Sequence, residues 1–140
     1  MPEEPTTPDL VELGRRSSEA VNSGDLDAMV SIFAPDAVWD LSPVGMGTFE
    51  GRAAIRGFAE DWLGAYEEFE MKAEERHDLG NGVTFSVIRQ NARPAASQGH
   101  VATRYAAVAV WVEGMIVRAT QYADIDEARA AAERLAESRG

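Results

Sequence analysis

The chain of 140 residues contains no cysteine, which removes disulfide frames, thiol nucleophiles and cysteine-based metal sites from consideration. Lysine is nearly absent too. Lys72 stands beside twelve arginines, a ratio that reads as coding bias. Basic residues number 13 against 24 acidic ones, leaving a formal net charge of −11. Such a surface repels phosphate backbones, and Arg15–Arg16 is the one adjacent basic pair, so no nucleic-acid partner is expected. Long apolar runs are missing: nothing approaches the roughly 18 residues of a membrane span, so no membrane association is expected. The two histidines, His77 and His100, are far apart and match no metal-ligand spacing. Neither a metal nor a cofactor is expected. Residues 1–10 are acidic and proline-rich, without the basic and apolar regions of a signal peptide; a cytoplasmic location is the expectation.

What is present is ordinary globular material, 45% hydrophobic and 26% charged. A chain this long reads as one domain and buries roughly 68–70% of its unfolded surface, enough for a core without staples. Residues 1–7 read as a flexible leader, 8–137 as a single domain, and 138–140 as a tail. Thr7–Pro8 has the form of a helix start, and Asn22-Ser23-Gly24 stops that helix. Asp25 opens a short second one, ended by Ala34-Pro35-Asp36. Ala37–Leu41 is a short strand. Gly51 opens a long helix to about Glu68, with Ile55, Phe58, Trp62 and Tyr66 on one face. Strands follow at 69–78, 83–93, 100–112 and 115–123, joined by glycine-containing turns at 79–82 and 113–114. Asp124 with Glu127 caps a closing helix. The order is α-α-β-α-β-β-β-β-α. It describes an α+β domain with a cone-like, curved, mainly antiparallel sheet wrapped by helices around an apolar pocket.

Specific residues join this order to a known family. The runs Gly24-Asp25-Leu26-Asp27, Phe33 to Trp39 and Phe49 to Phe58 resemble the front of a nuclear transport factor two-like domain, in its SnoaL-like branch. Glu113-Gly114-Met115-Ile116-Val117 and Gln121-Tyr122-Ala123-Asp124 complete the pattern, which spans residues 8–137. The resemblance implies a pocket for a small hydrophobic molecule and a homodimer formed through the sheet. It names no reaction, because the fold hosts isomerases, cyclases, epoxide hydrolases, dehydratases and non-catalytic binders.

The epoxide hydrolases of this superfamily set an Arg-x-Asp pair against an Asp on the last strand. At the matching positions this chain has Arg89-Gln90-Asn91 and Gln121. Both acids have become amides, which have no proton to exchange near neutral pH and cannot serve as the acid or base of that chemistry. Strand parity puts Arg89 and Asn91 with Val83, Phe85 and Val87, and Gln121 with Ala119. On that reading Arg89, Asn91 and Gln121, with the aromatics Trp39, Trp62 and Tyr66, are the ligand-binding candidates; for Arg89 the alternative is an ion pair at the sheet surface. His100 and Asp40 are the candidates for catalysis. His100 could reach a pocket mouth with a suitable pKa; Asp40 alternates with Trp39, which the family pattern turns inward. Thr103, Tyr105 and Trp111 share one face of the third long strand, either at a dimer contact or in the pocket. Three functions stay open: an acid–base enzyme on a hydrophobic, polycyclic or terpenoid substrate, a non-catalytic small-molecule binder, and a dimeric interaction module.

Overall fold

The computed structural model describes residues 9–140; the Thr7–Pro8 helix start and the 1–7 leader lie outside the described residues. Helix α1 (Leu10–Ser23) is capped by Asp9, whose carboxylate accepts from the Glu12 amide at 3.2 Å. Asp25 does the same for α2 (Leu26–Ser31) through Ala28. These caps satisfy amides that have no partner within the helix. Strand β1 (Phe33–Asp40) then pairs with the short β2 (Thr48–Glu50) on one side and β6 on the other. The strand expected from Ala37 begins four residues earlier, at Phe33, and its ladder is irregular between Phe33 and Val38. Pro35 lies in that gap, where its missing N–H would break a regular ladder.

Gly51, at φ 84 and ψ 157, leads into α3 (Arg52–Gly64), a backbone position that favours glycine. The helix stops at Gly64 and not near Glu68. β3 (Tyr66–Gly80) claims the difference, because Tyr66 pairs with Pro94 and Glu68 with Arg93 of β4 (Val83–Pro94). β5 (Val101–Val112) and β6 (Met115–Tyr122) follow, and α4 (Ile125–Arg139) closes the chain. α4 is capped by Asp124, which accepts from the Glu127 amide at 3.0 Å, and it continues into the expected tail.

The sheet order is β2-β1-β6-β5-β4-β3, antiparallel except where β1 runs parallel to β6. Register shifts interrupt β3 in three places and the β5–β6 ladder once; such bulges bend and twist strands. Gly82 makes the β3–β4 turn possible. A Cβ there would stand 2.6 Å from the Trp111 carbonyl oxygen.

Both faces of this sheet are covered, and that decides everything about the site. α1, α2 and α3 cover one face, burying Trp39, Ala109, Trp111 and Ala119 together with Ile55 and Ala59. α4 covers the other, laying Ala128, Ala132 and Ala136 on Val83, Phe85, Val87, Ala106 and Val108. Alanine every fourth residue lets the helix approach the sheet closely. The alternation of β4 therefore reads in the opposite sense from the expectation. Its most apolar side, Val83-Phe85-Val87, belongs to α4, and its mixed side, Thr84-Ser86-Ile88, belongs to the cavity. Beyond the part that α4 covers, Arg89, Asn91 and Arg104 are exposed.

Candidate functional site

Between α1 and the concave face of the sheet lies a cavity of about 130 Å³. One wall is the α1 face of Leu10, Gly14, Ser17, Ser18 and Val21. The floor comes from alternate residues of three strands: Thr84, Ser86 and Ile88, then Tyr105, Ala107, Ala109 and Trp111, then Ala119 and Gln121. Trp39, Trp62, Phe33 and Met29, with Met71 and Arg76 of β3, also line the cavity. The tryptophans belong to an edge-to-face cluster. Trp39 meets Phe58 at 5.3 Å and Trp62 at 6.2 Å, and Trp62 meets Phe69 at 4.9 Å. Contacts of this kind hold rings in fixed orientations.

Two deep polar atoms are already satisfied inside the wall. The Trp111 Nε1–H donates to Thr84 Oγ1 at 2.9 Å, and the Tyr105 hydroxyl donates to Gln90 Oε1 at 3.2 Å. Burial, with Tyr66 nearby, pushes the Tyr105 phenol well above its ordinary pKa, so it stays protonated. The hydroxyls of Ser17, Ser18 and Ser86, the Gln121 amide and the Arg76 guanidinium also stand on the wall, with Arg76 donating to Ser18 Oγ. Among the described residues no aspartate or glutamate lines the cavity. His77 borders it, but its ring stacks on Phe85 and its Nε2 lies 3.0 Å from Glu75, on the side of α4.

The sequence candidates divide accordingly. Trp39, Trp62 and Gln121 line the cavity. Arg89 and Asn91 do not: they share the parity of Val87, so they stand on the opposite face. Arg89, with a side chain 58% exposed, faces Glu74 at 3.7 Å and is the surface ion pair of the alternative reading. Tyr66 packs on Phe69 at 5.8 Å and is absent from the cavity wall, because α3 ends before it. His100 is exposed and pairs with Glu68 at 2.8 Å. Asp40 is turned away from Trp39, binding Ser42, Thr48 and Arg118 instead. Neither catalytic candidate reaches the cavity. Tyr105 and Trp111 resolve to the cavity side.

Sequence reasoning missed Arg76, Ser18, Ser86 and Gln90. For β4, alternation separates Thr84, Ser86, Ile88 and Gln90 from Val83, Phe85, Val87, Arg89 and Asn91, but it does not say which set faces the cavity. For Arg76 there was no signal, since the register shift between Ala73 and Glu75 resets the parity of β3.

Among the described residues no three His, Cys, Asp or Glu side chains gather as a metal site would require, and no helix is long and apolar enough to cross a membrane.

Solved structures share the architecture. A protein of unknown function from Burkholderia pseudomallei, itself described as NTF2-like, superposes with a TM-score of 0.73 at 20% identity, over 86% of this chain and 95% of that one. A hypothetical protein of Catenulispora acidiphila with a ketosteroid isomerase-like fold, in complex with trimethylamine, gives 0.72 at 17% identity over 91% and 94%. TerC, co-crystallised with polyporic acid, gives 0.72 at 15% identity over 89% and 98%. At these identities the likeness is one of fold. No curated protein matches the sequence. The SnoaL-like domain family matches residues 15–119, three-quarters of the chain and every strand from β1 to β5, so this chain belongs to the SnoaL-like domain family, within the NTF2-like fold.

Proposed function

We propose that this domain binds a small, largely apolar organic molecule, about the size of one substituted ring, without turning it over. The observation that carries the reading is the cavity wall: aromatic and aliphatic, with a few hydroxyls, an amide and a guanidinium, but no carboxylate among the described residues. Acid–base chemistry of the kind run on this fold needs a group that exchanges protons near neutral pH. Tyr105 is held protonated by burial, the His77 ring is turned to α4, and Gln121 has no proton to give up.

Size narrows the guest. A volume of about 130 Å³ falls below the roughly 300–1,000 Å³ of sites for drug-sized ligands. It is close to the roughly 150 Å³ of an engineered apolar cavity that takes up benzene. A polycycle or terpenoid does not fit this form of the cavity. Two proteins of the same fold accompany small organic molecules, trimethylamine in one and polyporic acid in the other, which accords with a binding role.

All three tryptophans line the cavity, so tryptophan emission reports occupancy. Titration with benzamide, a neutral single-ring probe, is expected to shift the emission saturably and to raise the melting temperature. A linear, unsaturable response with no thermal shift, for benzamide and for other single-ring probes alike, would overturn the proposal.

A further inference from the structure

Arg76 is a charged side chain on the wall of an apolar cavity, without a charged partner among the described residues. Its guanidinium donates to Ser18 Oγ at 2.5 Å. Among the described residues no carboxylate forms an ion pair with it, whereas Arg15, Arg56, Arg89, Arg93, Arg104, Arg118 and Arg129 each have one. Burial holds its pKa below the ordinary arginine value, and Arg15 acts in the same direction. Arg15 is itself engaged by Glu12 and Glu19, so it does not compete strongly for a newcomer. A half-buried guanidinium is costly until an anion or a set of acceptors meets it.

The helix opposite is shaped to admit this group. Gly14 and Ser18 sit one turn apart on the same face of α1. A Cβ on Gly14 would come within 3.0 Å of Arg76 Nη1. Glycine weakens a helix interior, and here its bare face leaves room for the guanidinium, while Ser18 orients it. Ser86, opposite Arg76 in the β3–β4 register, adds a hydroxyl on the same wall.

From this we infer that the guest is a carboxylate: a single-ring organic acid whose ring lies among the tryptophans and whose carboxylate meets Arg76. The inference rests on the small-molecule reading above and deepens it. Arg presents a planar fork that matches a carboxylate with two parallel hydrogen bonds. Of its five N–H groups one is committed to Ser18. The anion would supply the counter-charge that the wall lacks. The net charge of −11 slows the approach of an anion and is screened by salt; the contact at the half-buried Arg76 is screened less.

The test compares benzoate with benzamide, its neutral counterpart of the same shape, on the wild-type protein and on R76M, by calorimetry and tryptophan emission. Wild type is expected to bind benzoate at least about tenfold more tightly, the lower end for hydrogen bonds to charged groups. R76M is expected to abolish the preference, bringing benzoate and benzamide to about the same affinity. Equal affinities in wild type, or a benzoate preference that survives R76M, would overturn the inference and leave the binding reading standing. If neither probe binds wild type, the binding reading itself falls. Acetate binding as tightly as benzoate would overturn the role of the ring. Should R76M not fold, R76Q, which keeps a polar head for Ser18 and removes the charge, takes its place, and a benzoate preference unchanged in R76Q refutes the assignment.

Discussion

Ala109 and Ala106 lie three residues apart on β5, on opposite faces of the sheet. Ala109 lines the cavity and is 8% exposed, while Ala106 is 0% exposed and sits under α4. Enlarging each to leucine is expected to have opposite effects. Ala109→Leu adds three carbons that project into about 130 Å³ of space. At ~0.8 kcal/mol per buried carbon the gain has an upper bound of about 2.4 kcal/mol. Fixing the leucine rotamer costs about 0.5–1 kcal/mol, which leaves a net stabilisation of about 1–2 kcal/mol. The same side chain occupies the space of the guest, so benzamide binding is expected to fall below detection. Ala106→Leu adds the same atoms where Ala128, Ala132 and Phe85 already fill the space, and overpacking of that kind costs about 1–3 kcal/mol. The assay is urea unfolding followed by far-UV circular dichroism. A higher midpoint is expected for A109L and a lower one for A106L, both with unchanged slope. If A109L lowers the midpoint as A106L does, or still binds benzamide, the cavity is not where this account puts it.

Three further outcomes follow from the same geometry. Phe85 is 1% exposed, with Arg129 4.8 Å above its ring, and Phe85→Ala is expected to cost about 3–5 kcal/mol in urea unfolding without changing the benzamide affinity of the protein that remains folded. Gly82→Ala forces a Cβ to 2.6 Å from the Trp111 carbonyl at φ +78, so a loss of more than about 1 kcal/mol is expected, and a neutral result would refute the close approach. The Asp40 carboxyl is held below its ordinary value of 3.8, first by the Ser42 hydroxyl, then by the Ser42 amide, Thr48 and Arg118. It therefore stabilises the fold above about pH 4, and that contribution disappears as the pH falls through its folded pKa. With the side chain 15% exposed, Asp40→Asn is expected to cost about 1–2 kcal/mol at pH 7 and progressively less as the pH falls below about 4, read from urea midpoints across that range.

Much of this protein was legible in its sequence, and the legible parts share a physical cause: they are local. Asp25 and Asp124 cap their helices because a short carboxylate reaches an amide three residues on. Asn81-Gly82 and Glu113-Gly114 turn because both positions in each pair take positive φ. The strands between those turns follow to within a few residues. Helical spacing on α3 put Trp62 on the inner face, again a short-range rule; alternation on β1 set Trp39 and Asp40 on opposite faces, and the family resemblance turned Trp39 inward. Tyr66 failed the same helical rule because pairing with Pro94 drew it into β3.

What only the tertiary structure decided was which side of each strand is inside. Alternation in β4 divides Val83, Phe85, Val87, Arg89 and Asn91 from Thr84, Ser86, Ile88 and Gln90 without saying which set faces the cavity. A sheet covered on one face would have put the apolar set there. α4, more than thirty residues further along the chain, covers the other face and takes that set for itself, and Arg89 and Asn91 go with it. The guanidinium that does reach the cavity, Arg76, is placed by a bulge in β3 and by the bare face of Gly14 on α1. No rule of spacing connects those positions; their proximity exists once the sheet has curved and the first helix has packed against it.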